Sequence, residues 1–327
     1  MPRWTQLRFI VYLVILIGIF IVPTLVRDPY YLHILIMIGI NCMFALSWRL
    51  IMRAGQLSFG HAAFIGIGAY ACALAATRLG LPFWLALPLA GVAAAIIALP
   101  FGSAILRLRG MYFAICTWAF AEIMATVYLV AKEPFQGADG IALPTPAIGS
   151  IAFVTRTPYY YLTFVLLLIT VAVLYRMDRS RLGMRINAMR EADILAESVG
   201  INLMRYKTLA FTIACFFAGM AGGLYAYYLS FIAPYTFGVH LSIDCLVYAM
   251  VGGLGNIYGP LIGATLLTFI PTLLHATGFF KTMIFGAILV IVVIFLPDGL
   301  ISLPQKFSSM RARLRGKEVG KENAPAT

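Results

Sequence analysis

Apolar runs of about 20 residues, the length of a membrane-crossing helix, recur along almost the whole of this chain and restrict its fold more than anything else in it. They fall at Phe9–Val26, Tyr31–Trp48, Leu57–Thr77, Pro82–Leu106, Met111–Ala131, Tyr159–Arg176, Thr208–Leu229, from Leu241 to a Gly-rich break at Gly252–Gly259, Pro260–Ala276 and Met283–Leu296. Hydrophobic residues make up 62% of the 327 and charged residues only 11%, where a soluble domain carries about a quarter. The chain therefore reads as an all-α integral membrane protein of about ten transmembrane helices, some broken or re-entrant. The first run follows Arg3 and Arg8 as the core of a signal peptide would, but Arg27, Asp28 and Pro29 come after it in place of a small-residue cleavage site. It reads as a retained first helix.

Net charge is +12. In a soluble protein that would suggest nucleic acid, but here the charges sit in short loops beside apolar runs, so membrane orientation is the better account and no nucleic-acid partner is expected. If the N-terminus is cytoplasmic and the runs alternate, 19 of the 24 Lys and Arg residues fall on the cytoplasmic side. The five on the other side are Arg27, Arg78, Lys132, Arg156 and Lys281. This bias is expected to place both termini in the cytoplasm, and the family resemblance given below implies a bacterial inner membrane. Residues 1–300 form the membrane domain and 301–327 a basic cytoplasmic tail. On the outer side, residues 132–158 form a loop whose Gly and Pro content predicts turns rather than a domain. Cys42, Cys72, Cys116, Cys215 and Cys245 all lie in apolar runs without metal or disulfide spacing, and read as small packing residues.

Two stretches interrupt the oil. Arg53–Tyr70 carries Gln56, Ser58, Phe59 and His61 among closely spaced glycines, and Val251–Ala264 carries Asn256 among others. Interrupted segments in the two halves of a transporter point to a substrate path, whereas Gly60, Gly66 and Gly68 equally suit close helix packing. Glu122 and Asp244 stand within apolar runs. A charge at the centre of a span costs about 2.5–3.5 kcal/mol, so Glu122 is expected to be protonated, paired or facing water. Gln56, Ser58, Phe59, His61, Glu122, Asp244 and Asn256 are the candidate translocation-path residues.

Met177–Tyr206 is the one long charged segment between apolar runs, with five arginines interleaved with Asp178, Glu191, Asp193 and Glu197. Over Leu182–Val199 a helix is predicted, with Met184, Ala188, Ala192, Leu195 and Val199 on one apolar face. Arg190, Asp193 and Glu197 lie on another, and Gly200 fits a C-terminal stop. Such a helix suits a groove on a partner protein or the lipid headgroups; the interleaved acids favour the partner. The chain contains no GxxxxGK[ST], GxSxG or HExxH motif, so no ATPase or hydrolase site of those kinds is expected in it.

Arg190-Glu191-Ala192-Asp193, Ala196-Glu197-Ser198-Val199-Gly200-Ile201-Asn202 and Tyr206-Lys207 with Phe211 resemble the coupling loop of ABC-importer permeases, in particular branched-chain amino-acid permeases of the LivM type. Gly55–Ala62, Phe217–Gly222 and Gly252–Pro260 resemble further motifs of that family, in the family's order. Glu197-Ser198 departs from the commoner Glu-Ala pair. The resemblance implies the ABC-importer permease fold and an ATPase-coupling segment containing Arg190, Glu191, Ala192, Asp193, Ala196, Glu197 and Gly200. It implies a second, related permease subunit, two cytoplasmic ATPase subunits that bind the ATP, and a periplasmic substrate-binding protein, with no cofactor in this chain. The expected cargo is branched-chain or similar hydrophobic amino acids. Urea, short amides or another amino acid are alternatives, as is an ion-coupled transporter using Glu122 or Asp244.

Overall fold

The computed structural model describes residues 23, 28–108, 110–148, 151–152, 155–191, 193–198 and 200–273, and parts of 280–302. The first apolar run and the basic tail beyond 302 lie outside the described residues (Pro23 apart), as does much of the last run. Every run between them corresponds to a helix: α1 Pro29–Arg53, α2 His61–Thr77, α3 Phe83–Ile105, α4 Met111–Val130, α5 Arg156–Asp178, α8 Leu203–Leu229, α9 Val239–Gly252 and α10 Tyr258–Leu273. Two shorter helices, α6 Arg181–Glu191 and α7 Asp193–Ser198, lie between α5 and α8. Among the described residues six helices are long and apolar enough to cross a membrane, one of them counted from the 3-10 turn at Pro234 through α9.

Capping chemistry sets several boundaries. Asp28 Oδ1 accepts from Tyr30 N at 2.9 Å and Pro29 occupies the first turn, so α1 starts earlier than its apolar run. Asn202 Oδ1 accepts from Arg205 N at 3.0 Å and starts α8 before its run in the same way.

α8 is the centre of the molecule, packed against α2, α3 and α1. Small residues let the backbones meet. A Cβ on Gly68 would lie 2.1 Å from Gly219 O, and one on Gly222 would lie 2.1 Å from Ile65 O. The packing reading of the first Gly-rich stretch is thus realised in the α2–α8 contact. α3 and α4 turn large apolar side chains such as Ile96, Leu99, Ile115 and Ile123 outward, the surface a helix presents to lipid or to another membrane subunit.

Contacts between remote segments define two ends of the bundle. At one end Arg156 Nη1 donates to Pro29 O at 2.5 Å and Tyr30 OH to Thr272 O at 2.8 Å. Here β1 (Ile141–Ala142), in the loop between α4 and α5, pairs antiparallel with β4 (Phe231–Ile232), which follows α8. β2 (Ala147–Ile148) and β3 (Ile151–Ala152) form a small hairpin in the same loop. The described residues of that loop form short turns and two-residue strands. The opposite end gathers the C-termini of α1, α5 and α9 with α6.

Candidate coupling site and membrane path

The segment expected to be helical over Leu182–Val199 is helical on either side of residue 192, as α6 and α7, and residue 192 itself lies outside the described residues. Ser180 begins α6: its Oγ accepts from Leu182 N at 3.2 Å and its carbonyl from Met184 N at 3.1 Å. Gly200 ends α7 as predicted. Its φ is +80°, Ile201 N donates to Ala196 O at 3.0 Å and Gly200 N to Glu197 O at 2.9 Å, the paired bonds of a Schellman stop.

The faces divide differently from the expectation of one apolar side. Gly183, Ile186, Met189 and Ala196 are buried against the membrane domain, while Met184, Ala188 and Leu195 are exposed. The predicted apolar face exists over these three residues, but it is the outer one. Arg185 holds the segment to α8, donating to Tyr206 OH and stacking over its ring at 5.1 Å. Arg190, Glu197 and Gly200 are exposed, and Ala196 is not. Ala192 and Val199 lie outside the described residues, as do the side chains of Glu191 and Asp193, so the expected Arg190–Asp193 pair falls there too.

A buried polar knot lies behind α6. Arg49, on the last turns of α1, donates from Nη1 to Asp178 Oδ2 at 2.9 Å, from Nε to Leu254 O at 3.0 Å and from Nη2 to Gly255 O at 3.5 Å. Arg53, one turn on, pairs with the other oxygen of Asp178 and donates to Asn187 Oδ1 at 2.5 Å. The Arg49 side chain is 2% exposed and that of Asp178 15%.

The candidate path residues do not form one site. Gln56, Ser58 and His61 are fully buried in the irregular entry to α2. There Trp48 Nε1 donates to Ser58 O at 2.8 Å, Phe59 N to Thr117 Oγ1 at 3.1 Å and Ala62 N to Ser242 Oγ at 2.8 Å, while Ser47 Oγ and His61 Nε2 share a bond of 2.8 Å. Irregular backbone at depth persists because side chains satisfy it. Phe59 and Glu122 do share a face. Phe59 meets Trp118 with ring centroids 6.2 Å apart, and Glu122 follows Trp118 by one turn of α4, both exposed. Asp244 is half-buried on α9. Asn256 is exposed in the turn between α9 and α10, its carbonyl accepting from Gly259 N at 3.2 Å. The second Gly-rich stretch is therefore a helix–helix turn at the Arg49 end, not a break partway across a span. Its glycines are needed for contact: a Cβ on Gly252 would lie 1.8 Å from Gly259 O.

A family model described as the permease component of the branched-chain amino acid transport system matches residues 30–293. The chain belongs to that permease family. Relatives agree. The protein is 31% identical over 296 residues to the high-affinity branched-chain amino acid transport system permease protein LivM of Salmonella typhimurium, covering 83% of this chain and 68% of that one. To LivM of Escherichia coli it is 31% identical over 297 residues, with the same coverage. To LivH of Escherichia coli, the permease protein of a system with the same name, it is 25% identical over 271 residues, covering 77% of this chain and 87% of that one. No solved structure matches it.

For this multi-pass membrane permease, sequence reasoning missed the knot on Arg49. Arg49 and Arg53 read as loop cations when they are buried helix residues, and Asp178 read as one member of a solvated charge run. A signal was present: two arginines one turn apart at the end of an apolar run, with an acid ending another run on the same side.

Proposed function

We propose that this permease is a membrane subunit of an ABC importer for branched-chain or similar small hydrophobic amino acids, driven by separate ATPase subunits that dock on the 184–200 segment. The observation that carries the reading is the split between the two faces of that segment. Ile186, Met189 and Ala196 fix it to the membrane domain, while Met184, Ala188 and Leu195 are left outward beside Arg190 and Glu197. An apolar row flanked by charge suits a groove on a partner protein. The absence of a Walker loop from the sequence supports assigning ATP to another chain. Similarity to both LivM and LivH supports a second, related permease subunit beside this one, with a periplasmic binding protein on the side of the 132–158 loop.

The charge bias supports placing both termini and the 301–327 tail in the cytoplasm, and the similarity to permease proteins of Salmonella typhimurium and Escherichia coli supports a bacterial inner-membrane location. The apolar runs support ten crossings within residues 1–300. The face bearing Phe59, Trp118 and Glu122 fits the translocation path, because a carboxylate on an outward helix face is stable where it meets water or a partner rather than lipid.

The test is purification of the chain with its associated proteins, followed by uptake of radiolabelled leucine into liposomes. ATPase subunits are expected to co-purify and leucine uptake to require ATP. Uptake by the chain alone, driven by a proton or sodium gradient, would sink this reading in favour of an ion-coupled transporter. ATP-driven uptake of urea or short amides in place of leucine would replace the substrate class.

A further inference from the structure

We propose that Arg49 and Arg53 are positioning residues that tie the docking segment to the α9–α10 hairpin, so that displacement of α6 is transmitted to that hairpin through Asp178 and Asn187. The inference rests on the ABC-importer reading above and adds the route by which force from the ATPase side enters the membrane domain.

Four elements meet at this knot. Asp178 ends α5, Asn187 lies in α6, the two arginines end α1, and Leu254 and Gly255 form the turn after α9. Two guanidinium groups face one carboxylate, so one positive charge is left over. Three further N–H groups go to the carbonyls of Leu254 and Gly255 and to the amide oxygen of Asn187. The same two side chains thus reach both α6 and the α9–α10 turn. A rigid planar fork is the group able to hold a carboxylate and two carbonyls at once.

Both attachments are stiff. Between α5 and α6, a Cβ on Gly183 would lie 2.3 Å from Asp178 O, so the turn is closed tightly on the carboxylate-bearing residue. Between α9 and α10, Gly259 sits on Gly252, and a Cβ on Gly263 would lie 2.0 Å from Tyr248 O. A pull on the exposed face of α6 therefore meets little slack before Arg49. Stability alone is a poor reason for the knot, since apolar residues of similar volume commonly serve a buried position as well as an ion pair does.

The test uses the complete transporter in liposomes, reading ATP hydrolysed per radiolabelled leucine imported. Arg49→Lys keeps a charge for Asp178 but loses the fork to Leu254 and Gly255. Asn187→Ala removes the α6 acceptor at a half-buried helix position, and Asn187→Asp restores an acceptor for Arg53. The ratio is expected to rise on the order of fivefold in Arg49→Lys and in Asn187→Ala, the scale of one lost net hydrogen bond, and to stay near wild type in Asn187→Asp. If Arg49→Lys fails to assemble, Asn187→Ala against Asn187→Asp decides. A wild-type ratio in Asn187→Ala, or in an assembled Arg49→Lys, overturns the link while leaving the transport reading intact. Absence of ATP-driven leucine uptake by the wild-type complex overturns that reading and this inference with it.

Discussion

Gly68 on α2 and Gly219 on α8 touch backbone to backbone: a Cβ on the first would lie 2.1 Å from the carbonyl oxygen and 2.3 Å from the Cα of the second. Neither atom belongs to a flexible side chain, so the helices must separate to admit a methyl group. Gly68→Ala is expected to destabilise the protein by about 1–3 kcal/mol. Gly255→Ala, where nothing lies within 4 Å of the added Cβ, is expected to leave stability near wild type. Thermal unfolding of the two variants in detergent checks the pair, and equal midpoints would show that α2 and α8 tolerate separation.

Asp178 pairs with two guanidinium groups that are themselves almost wholly withdrawn from solvent. Asp178→Ala leaves both without a carboxylate and is expected to cost about 3 kcal/mol, the lower end for a broken buried pair because the carboxylate keeps some exposure. Asp178→Asn retains one acceptor oxygen and is expected to lose less. Unfolding midpoints in the order wild type, Asn, Ala are the predicted result, and an Ala variant as stable as wild type would show that water reaches the arginines.

Much of this architecture was legible in the chain. Each apolar run between residues 31 and 276 that falls on described residues became a helix, because a span must satisfy its own backbone and is nearly uniform in composition. Gly200 was legible as a stop, since a positive φ after a helix favours glycine. The second apolar face of α6 was not. Periodicity picked out Met184 and Leu195, which are outward as a face awaiting a partner must be, but not Ile186 and Met189, which pack inward. The knot on Arg49 was missed for a related reason: charge counting assigns arginines to a side of the membrane but not to a partner four helices away in sequence. Asn256 misled because a glycine-rich turn at a helix end and one at mid-membrane have the same composition.

Glu197 and Gly200 stand together at the exposed end of α7. Glu197→Arg reverses a charge at an exposed position of the proposed docking surface. It is expected to reduce co-purification of the ATPase subunits with little effect on the unfolding midpoint, as for surface substitutions generally, within about 0.5 kcal/mol. Gly200→Pro acts through the backbone: it removes the N–H that donates to Glu197 O and forbids the φ of +80°. Its expected effect is continued ATP hydrolysis with loss of leucine uptake. Normal transport by both variants would move the docking surface elsewhere.

Glu122 follows Trp118 by one turn on an outward face of α4 that also carries Ile115 and Ile123. If that face lines the path, the residue tolerates a neutral polar group but not a cation, since a lysine at the centre of a span costs about 2.5–3.5 kcal/mol. Glu122→Gln is therefore expected to keep most leucine uptake and Glu122→Lys to lose most of it, with both chains inserted in the membrane at comparable levels. The comparison separates two roles for the carboxyl group. A glutamine preserves its size and hydrogen bonding while removing the proton equilibrium, so equal loss in both variants would identify a required carboxylate and favour ion coupling at this position. A difference between them instead ties the requirement to the absence of positive charge.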